Sequence, residues 1–307
     1  MKFIGENNMK ALLIQVDGPI PNRALRCWGG YLKERGYEVF YNDGCPDPDL
    51  VKVSCIFEWN ALRAREIAER FSCPVEMGGY GIDKKAKLPL EVEHHMPDYE
   101  GLDFSMGFTT WGCFRRCEFC DTWKIEGGIR ERAPIEEFWD PSHRKLILFD
   151  NNILGLLSWK RKLEFIRSQG LKLCVTQGYD ARVITEESAK LIAEIPHYNW
   201  KFGDRAVYTA WDRLEDEEPV LRGIQHLIDA GVKPRHVIPY VLVGFNTNLE
   251  QDLYRFNKLR EFGVYPFVMP YDNKGHPMKR WGQRPALFKT MPFEKWHQIR
   301  IESGRSY

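Results

Sequence analysis

Long apolar runs are missing from this sequence. Nothing approaches the roughly 18 apolar residues that a membrane span requires. The first apolar stretch, residues 11–16, is short and leads straight into Asp17-Gly18. A secretory signal is therefore not expected, and the expected location is cytoplasmic. The segment before Met9 reads as a polar leader. A charge excess is missing too: 44 Lys and Arg face 43 Asp and Glu, a formal net charge of +1. Global charge gives no reason to expect a membrane surface or a nucleic acid as an obligatory partner. Internal repeats and low-complexity tracts are also absent.

What is present is a chain of 307 residues, 43% of them hydrophobic. That is enough for one large domain or two medium ones. The first part alternates strand and helix. Strands are expected at 11–16, 37–41, 51–57 and 74–77, with helices at 23–35 and 59–71. Asn22 is placed to cap the first helix, and Gly36 to end it. This βα alternation predicts an α/β fold, here a doubly wound parallel sheet of Rossmann or flavodoxin type over residues 1–83. Ligands of such sheets sit beyond the carboxyl ends of the strands. Here those ends are Asp17-Gly18 and the Gly78–Gly81 turn. Residues 84–100, with two prolines and His94-His95, read as a linker.

Beyond it the alternation resumes with a longer period. Strands are expected at 104–110, 145–149, 171–176, 205–211, 236–243 and 265–269. Helices are expected at 134–139, 159–168, 186–194, 216–230 and 249–262. Thr185 and Asn248 suit helix N-caps, and Gly170, Gly231 and Gly263 suit helix ends. Six such units predict a partial (β/α)6 barrel of TIM type over 101–272, with its active site at the carboxyl ends of the strands. Residues 273–307 form a C-terminal extension of another kind.

Eight cysteines stand in a chain expected to be cytosolic, where disulfides are disfavoured and clustered thiols signal metal or redox chemistry. Three of them, Cys113, Cys117 and Cys120, fall in the loop after the first barrel strand with C-x3-C-x2-C spacing. A loop can wrap three thiolates around one corner of an iron–sulfur cubane. Such clusters are commonly held by four cysteines, so three leave one iron open to a reactant. A structural zinc site is the alternative. It needs a fourth ligand, which Glu118 or Asp121 could supply only at poor geometry, and no second Cys-x2-Cys knuckle exists.

The spacing, with aromatic Phe119 just before the third cysteine, resembles the signature of the radical S-adenosylmethionine (radical SAM) superfamily. The resemblance covers most of residues 104–270. It implies a 4Fe–4S cluster on Cys113, Cys117 and Cys120, with S-adenosylmethionine bound to the free iron. It implies reductive cleavage to a 5′-deoxyadenosyl radical that abstracts a substrate hydrogen, and a flavodoxin- or ferredoxin-type electron donor. Where many members carry Gly-Gly-Glu, this chain has Asp150-Asn151-Asn152, similar to a variant found in members with a cobalamin-binding-like domain. The resemblance puts Asn151 and Asn152 at the methionine amine; an Asx turn is the plainer reading. It puts Gln177 and Arg182 near the methionine carboxylate, although Arg182 could equally pair with Asp180 or Asp212. Asp212 would meet the ribose, and Gly244 would let the backbone approach the adenine. Lys124 and Arg130 are further candidates for neutralising an anion, or simply belong to a solvated loop.

The first domain resembles the cobalamin-binding-like domain that precedes many radical SAM barrels. Its D-x-H-x-x-G signature is absent, so cobalamin is not expected. A cobalamin-dependent methyltransferase or a methylthiotransferase remains the alternative enzyme. A zinc- or nucleic-acid-binding module without catalysis is the alternative outside enzymes. The extension carries eight Lys and Arg from Lys274 to Arg305, interleaved with Trp281, Phe288, Phe293 and Trp296. Such a mixture suits phosphates and bases, or else covers a barrel edge with the aromatics buried. The expected substrate is a small molecule or nucleotide, with nucleic acid as a further class. No residue acting directly on that substrate is readable.

Overall fold

Ala11 and Leu13 point to one side of the chain, Leu12 and Ile14 to the other, and all four are buried. A strand buried on both faces belongs inside a parallel sheet with helices on each side. The computed structural model describes residues 9–272 and 275–303, and has this arrangement. Strands β1 (Lys10–Gln15), β2 (Glu38–Tyr41), β3 (Leu50–Ser54) and β4 (Val75–Gly78) form a parallel sheet in the order β2-β1-β3-β4. Helix α1 (Arg23–Glu34) packs Leu25 and Leu32 on Ala11 and Leu13. Helix α2 (Ala61–Ala68) packs Ala64 on the face of Leu12, Ile14 and Val16. Asn22 caps α1 by accepting from Leu25 N at 3.1 Å. The carboxylate of Asp17 accepts from Ile56 N and Phe57 N at 2.8 and 3.0 Å, tying the end of β1 to the loop after β3.

By compactness the chain divides into two units. One holds the chain up to Gly107 together with Ala133–His143; the other holds Phe108–Arg132 and the chain from Arg144. The stretch read as a linker belongs to the first unit as packed structure. Its helix α3 (Leu90–Glu93) buries Val92, and Arg23 pairs with the buried Glu93 at 3.6 Å. Strand β5 (Ser105–Gly107) ends the first of that unit's two segments. The long strand expected over 104–110 stops at Gly107, and pairing resumes only in the short β6 (Thr110–Trp111). The helix expected over 134–139 is a single 3-10 turn, Ile135–Glu137, after Pro134.

In the second unit β6 pairs antiparallel with β7 (Arg130–Glu131), and between them runs the cysteine loop with the short helix α4 (Thr122–Ile125). Five parallel strands follow: β8 (Lys145–Leu148), β9 (Lys172–Val175), β10 (Val207–Ala210), β11 (Val237–Val243) and β12 (Phe267–Pro270). β8 pairs with β9, and β10, β11 and β12 pair in order. A parallel bridge from Tyr179 to Thr209 links the two groups. The intervening helices are α5 (Trp159–Ser168), α6 (Glu186–Glu194), α7 (Glu217–Asp229) and α8 (Leu249–Glu261). Thr185 and Asn248 open α6 and α8 with reciprocal capping boxes. The chain is thus mixed α/β with several parallel sheets.

The C-terminal extension folds into α9 (Lys279–Gly282), α10 (Pro285–Phe288) and α11 (Phe293–Glu302). Trp281, Phe288, Phe293 and Trp296 are all buried, so these four rings are not available to stack on bases. Trp281 and Phe288 pack on Phe256 of α8, and Gln283 Nε2 donates to Val268 O of β12 at 2.8 Å. Lys274 and Arg305 lie outside the described residues.

Helix α7 approaches the turn of Ala181–Val183 closely. A Cβ on Gly223 would lie 1.9 Å from Ala181 O. Gly→Ala inside a helix ordinarily gains about 1 kcal/mol. Here Gly223→Ala is expected to lose roughly 1–3 kcal/mol through overpacking. Urea unfolding checks this, and an unchanged or higher midpoint contradicts it.

Candidate functional site

The cysteine loop is fixed at its base by a buried carboxylate. Asp150 follows β8 and is 0% exposed. It accepts hydrogen bonds from Thr109 N at 3.0 Å, Thr110 N at 2.6 Å, Thr110 Oγ1 at 2.7 Å and Thr109 Oγ1. Burial pushes its carboxyl up, and these donors oppose the shift. The loop then turns at Gly112, whose φ is +74° and where a Cβ would meet Gly128 O at 2.4 Å. Only glycine fits that approach. Glu126 accepts from Gly112 N at 2.8 Å and from Asn151 Nδ2 at 2.9 Å. Trp123 Nε1 donates to Cys117 O at 2.9 Å.

Cys113, Cys117 and Cys120 are free and half-buried in this loop. Burial pushes the thiols of Cys113 and Cys117 up. Among the described residues, no three His, Cys, Asp or Glu side chains are grouped to hold one metal ion.

The three thiols line a cleft of about 400 Å³. Phe119, Asn151 and Asn152 line it as well, and so do Gln177, Arg182 and Asp212 from the ends of later strands. Nine of the twelve residues singled out from sequence therefore meet in one place, and Lys124 and Arg130 are not among those lining it. Gly244 does not line it. Its φ is +76°, its N–H donates to Asp252 at 3.1 Å, and a Cβ there would meet the His276 ring at 3.3 Å.

Asn152 is 2% exposed, and its Oδ1 has no hydrogen-bond partner. Its Nδ2 donates to Asp180 at 3.3 Å and approaches Cys113 Sγ at 3.9 Å. An orphaned buried acceptor costs about 1–3 kcal/mol unless a donor arrives. Asn151 is more engaged, through Glu126 and through Thr122 Oγ1 at 3.5 Å.

Arg182 is committed to carboxylates. It donates to Asp180 through Nε at 2.7 Å and to Asp216 through Nη1 at 2.8 Å, and the pairing considered with Asp212 is not made. Arg115, two residues past the first cysteine, also lines the cleft and donates through Nε to Asp180 at 3.0 Å. Burial disfavours the charge of Asp180, but Arg182 and Arg115 hold its carboxyl below the usual range. Asp212 has no such partner. Desolvation pushes it up to about 6, against the pull of Arg182 and Arg255. Arg115, Tyr240 and Met269 are cleft residues that sequence reasoning passed over, while Asp180 was expected there only as a partner of Arg182. Arg115 sits inside the cysteine motif, and that position is the signal that could have found it.

This chain matches no family model and no curated protein. Among solved structures it is similar to apo selenomethionine-labelled OxsB, a cobalamin-dependent S-adenosylmethionine radical enzyme. The TM-score is 0.40 at 12% identity, over 86% of this chain and 49% of that one. This chain thus spans about half the length of that structure. At that TM-score the likeness says nothing about chemistry.

The raised Asp212 has a consequence for stability. A carboxyl whose folded pKa exceeds its ordinary value contributes fully below pH 4 and loses that contribution as pH rises through about 6. In metal-free protein, Asp212→Asn is expected to be neutral near pH 4 and stabilising by roughly 2–3 kcal/mol at pH 8. Paired melting curves across this range check it; a pH-independent difference contradicts it.

Proposed function

We propose that this chain is a radical S-adenosylmethionine enzyme, with Cys113, Cys117 and Cys120 as ligands of a 4Fe–4S cluster. The observation that carries the reading is a C-x3-C-x2-C loop on a cleft whose wall holds the unpartnered acceptor Asn152 Oδ1. Such a cluster, with S-adenosylmethionine on the iron left free, supplies one-electron cleavage of the sulfonium and a 5′-deoxyadenosyl radical that abstracts a substrate hydrogen.

The residues then divide the binding task. Asn152 Oδ1 accepts from the methionine ammonium, with Asn151 beside it. Arg115 faces the methionine carboxylate, because Arg182 is already bound to Asp180 and Asp216. Arg182 acts through Asp180, which anchors both Arg115 and Asn152. Asp212 takes ribose hydroxyls, and Phe119 closes the loop side against Phe245, 5.6 Å away between ring centroids. The parallel strands form a partial (β/α)6 barrel with this cleft at its mouth. Electrons come from a flavodoxin- or ferredoxin-type donor, and the substrate is a small molecule or a nucleotide.

Anaerobic reconstitution with iron and sulfide tests the reading. About four irons per chain are expected, with 5′-deoxyadenosine formed on adding dithionite and S-adenosylmethionine. Cys117→Ala should lose both. Iron-loaded protein that makes no more 5′-deoxyadenosine than Cys117→Ala overturns the proposal. Asn152→Ala should keep its iron yet bind S-adenosylmethionine about tenfold more weakly, in line with one lost hydrogen bond to a charged group. Equilibrium dialysis under argon measures this, and unchanged binding removes Asn152 from the pocket.

A further inference from the structure

Strands β8 to β12 are parallel, so their amino ends lie opposite the cysteine cleft. Positive charge gathers there. Lys145 and Lys172 open β8 and β9, Arg205 precedes β10, and Lys233, Arg235 and His236 precede β11. A hairpin before β10 organises them. Tyr198 bridges Arg205 in antiparallel fashion, and Asn199 N donates to Asp204 O at 2.9 Å to close the turn. Its aromatic rings take cations on their faces. Lys172 and Arg205 lie 5.4 and 5.2 Å from the Tyr198 ring, and Lys145 lies 5.5 Å from Phe202.

Within this face is a pocket of about 150 Å³, lined by Arg205, Lys233 and His236 around His197. His197 is not one of its charges. Its Nδ1 is 2.8 Å from Ile195 O, a group that can only accept, so Nδ1 carries the proton and Nε2 accepts from Tyr179 Oη at 2.7 Å. Burial pushes this imidazole down to about 4, so it forms a neutral floor. Arg205 and Lys233 are exposed, and no Asp or Glu is among the lining residues. The nearest acid in sequence, Asp204, has its carboxylate on Asn199 Nδ2 at 3.0 Å. Desolvation first, then Arg235, Arg205 and Lys233, lower the pKa of His236. Arg205 and Lys233 thus lie near enough to His236 to oppose its protonation, and an anion placed among them would reverse that effect.

We propose that this pocket is a phosphate-binding site. Arg205, Lys233 and His236 all line the pocket, and a guanidinium, an ammonium and an imidazole can each donate to a tetrahedral oxyanion. The volume admits the phosphate group and leaves anything esterified to it outside. The site is independent of the cysteine cleft and of the reading given to it.

Calorimetric titration of the full chain at pH 7, with chloride held constant, tests the proposal. The probes are inorganic phosphate, ribose 5-phosphate and ribose. Phosphate and ribose 5-phosphate should bind, and ribose should not. Tighter binding of the ester identifies a sugar-phosphate or nucleotide as the source; equal binding identifies free phosphate. Arg205→Gln with Lys233→Gln should weaken phosphate binding by at least about tenfold, as loss of charge-assisted hydrogen bonds predicts. In phosphate-free buffer the same double variant should melt no lower than the parent, because it relieves like-charge repulsion. Phosphate binding that is absent in the parent, or unchanged in the double variant, overturns the site. A lower melting temperature in phosphate-free buffer overturns it too, by giving these cations a structural role.

Discussion

One buried carboxylate sets the register of the candidate site. Asp150 follows β8, and its oxygens collect two backbone and two hydroxyl donors from Thr109 and Thr110. Taking a carboxylate out of water is costly unless hydrogen bonds replace the solvent. Four donors meet that condition and leave the group little freedom to move. Three residues downstream of Thr110 stands Cys113, and directly after Asp150 stand Asn151 and Asn152. The same interaction therefore positions the thiol loop and the amide pair against each other. Glu126 repeats the device on the far side of the loop, holding Gly112 and Asn151 together.

A chain of alternating charges starts in the cleft wall and runs out of it. Arg115, Asp180, Arg182, Asp216 and Arg213 follow one another, each within hydrogen-bond distance of the next. Partly buried pairs of this kind fix geometry more than they add stability. A second pair, Arg255 and Asp252, is fully buried behind the wall. Arg255 donates to Trp211 O, Asp212 O and Leu242 O, so it holds the carboxyl ends of β10 and β11 together. Asp252 takes the N–H of Gly244. Gly244 thus serves the scaffold that carries Asp212, which explains its conformation without placing it in the cleft.

Much of this was legible in the amino-acid order. Helices α5 and α6 have the expected limits, because Thr185 and Gly170 announce their ends and the apolar period is plain. The cysteine spacing and the Asp-Asn-Asn run located most of the cleft. What escaped was decided by distant partners. Val92 and Glu93 looked like linker residues because the charge and proline around them hid a single buried turn. The break between β5 and β6 escaped because a one-dimensional run from 104 to 110 cannot show that Asp150 captures Thr109 and Thr110. The roles of Arg182 and Arg115 were hard to separate because Asp216, the deciding partner, lies 34 residues away from Arg182.

The central claim is that three thiols hold a cluster with one iron free for S-adenosylmethionine. Electron paramagnetic resonance of the anaerobically reduced, reconstituted protein tests it most directly. The account predicts a reduced-cluster signal whose g values shift when S-adenosylmethionine is added. A signal that the addition leaves unchanged, or protein that retains no iron, contradicts it.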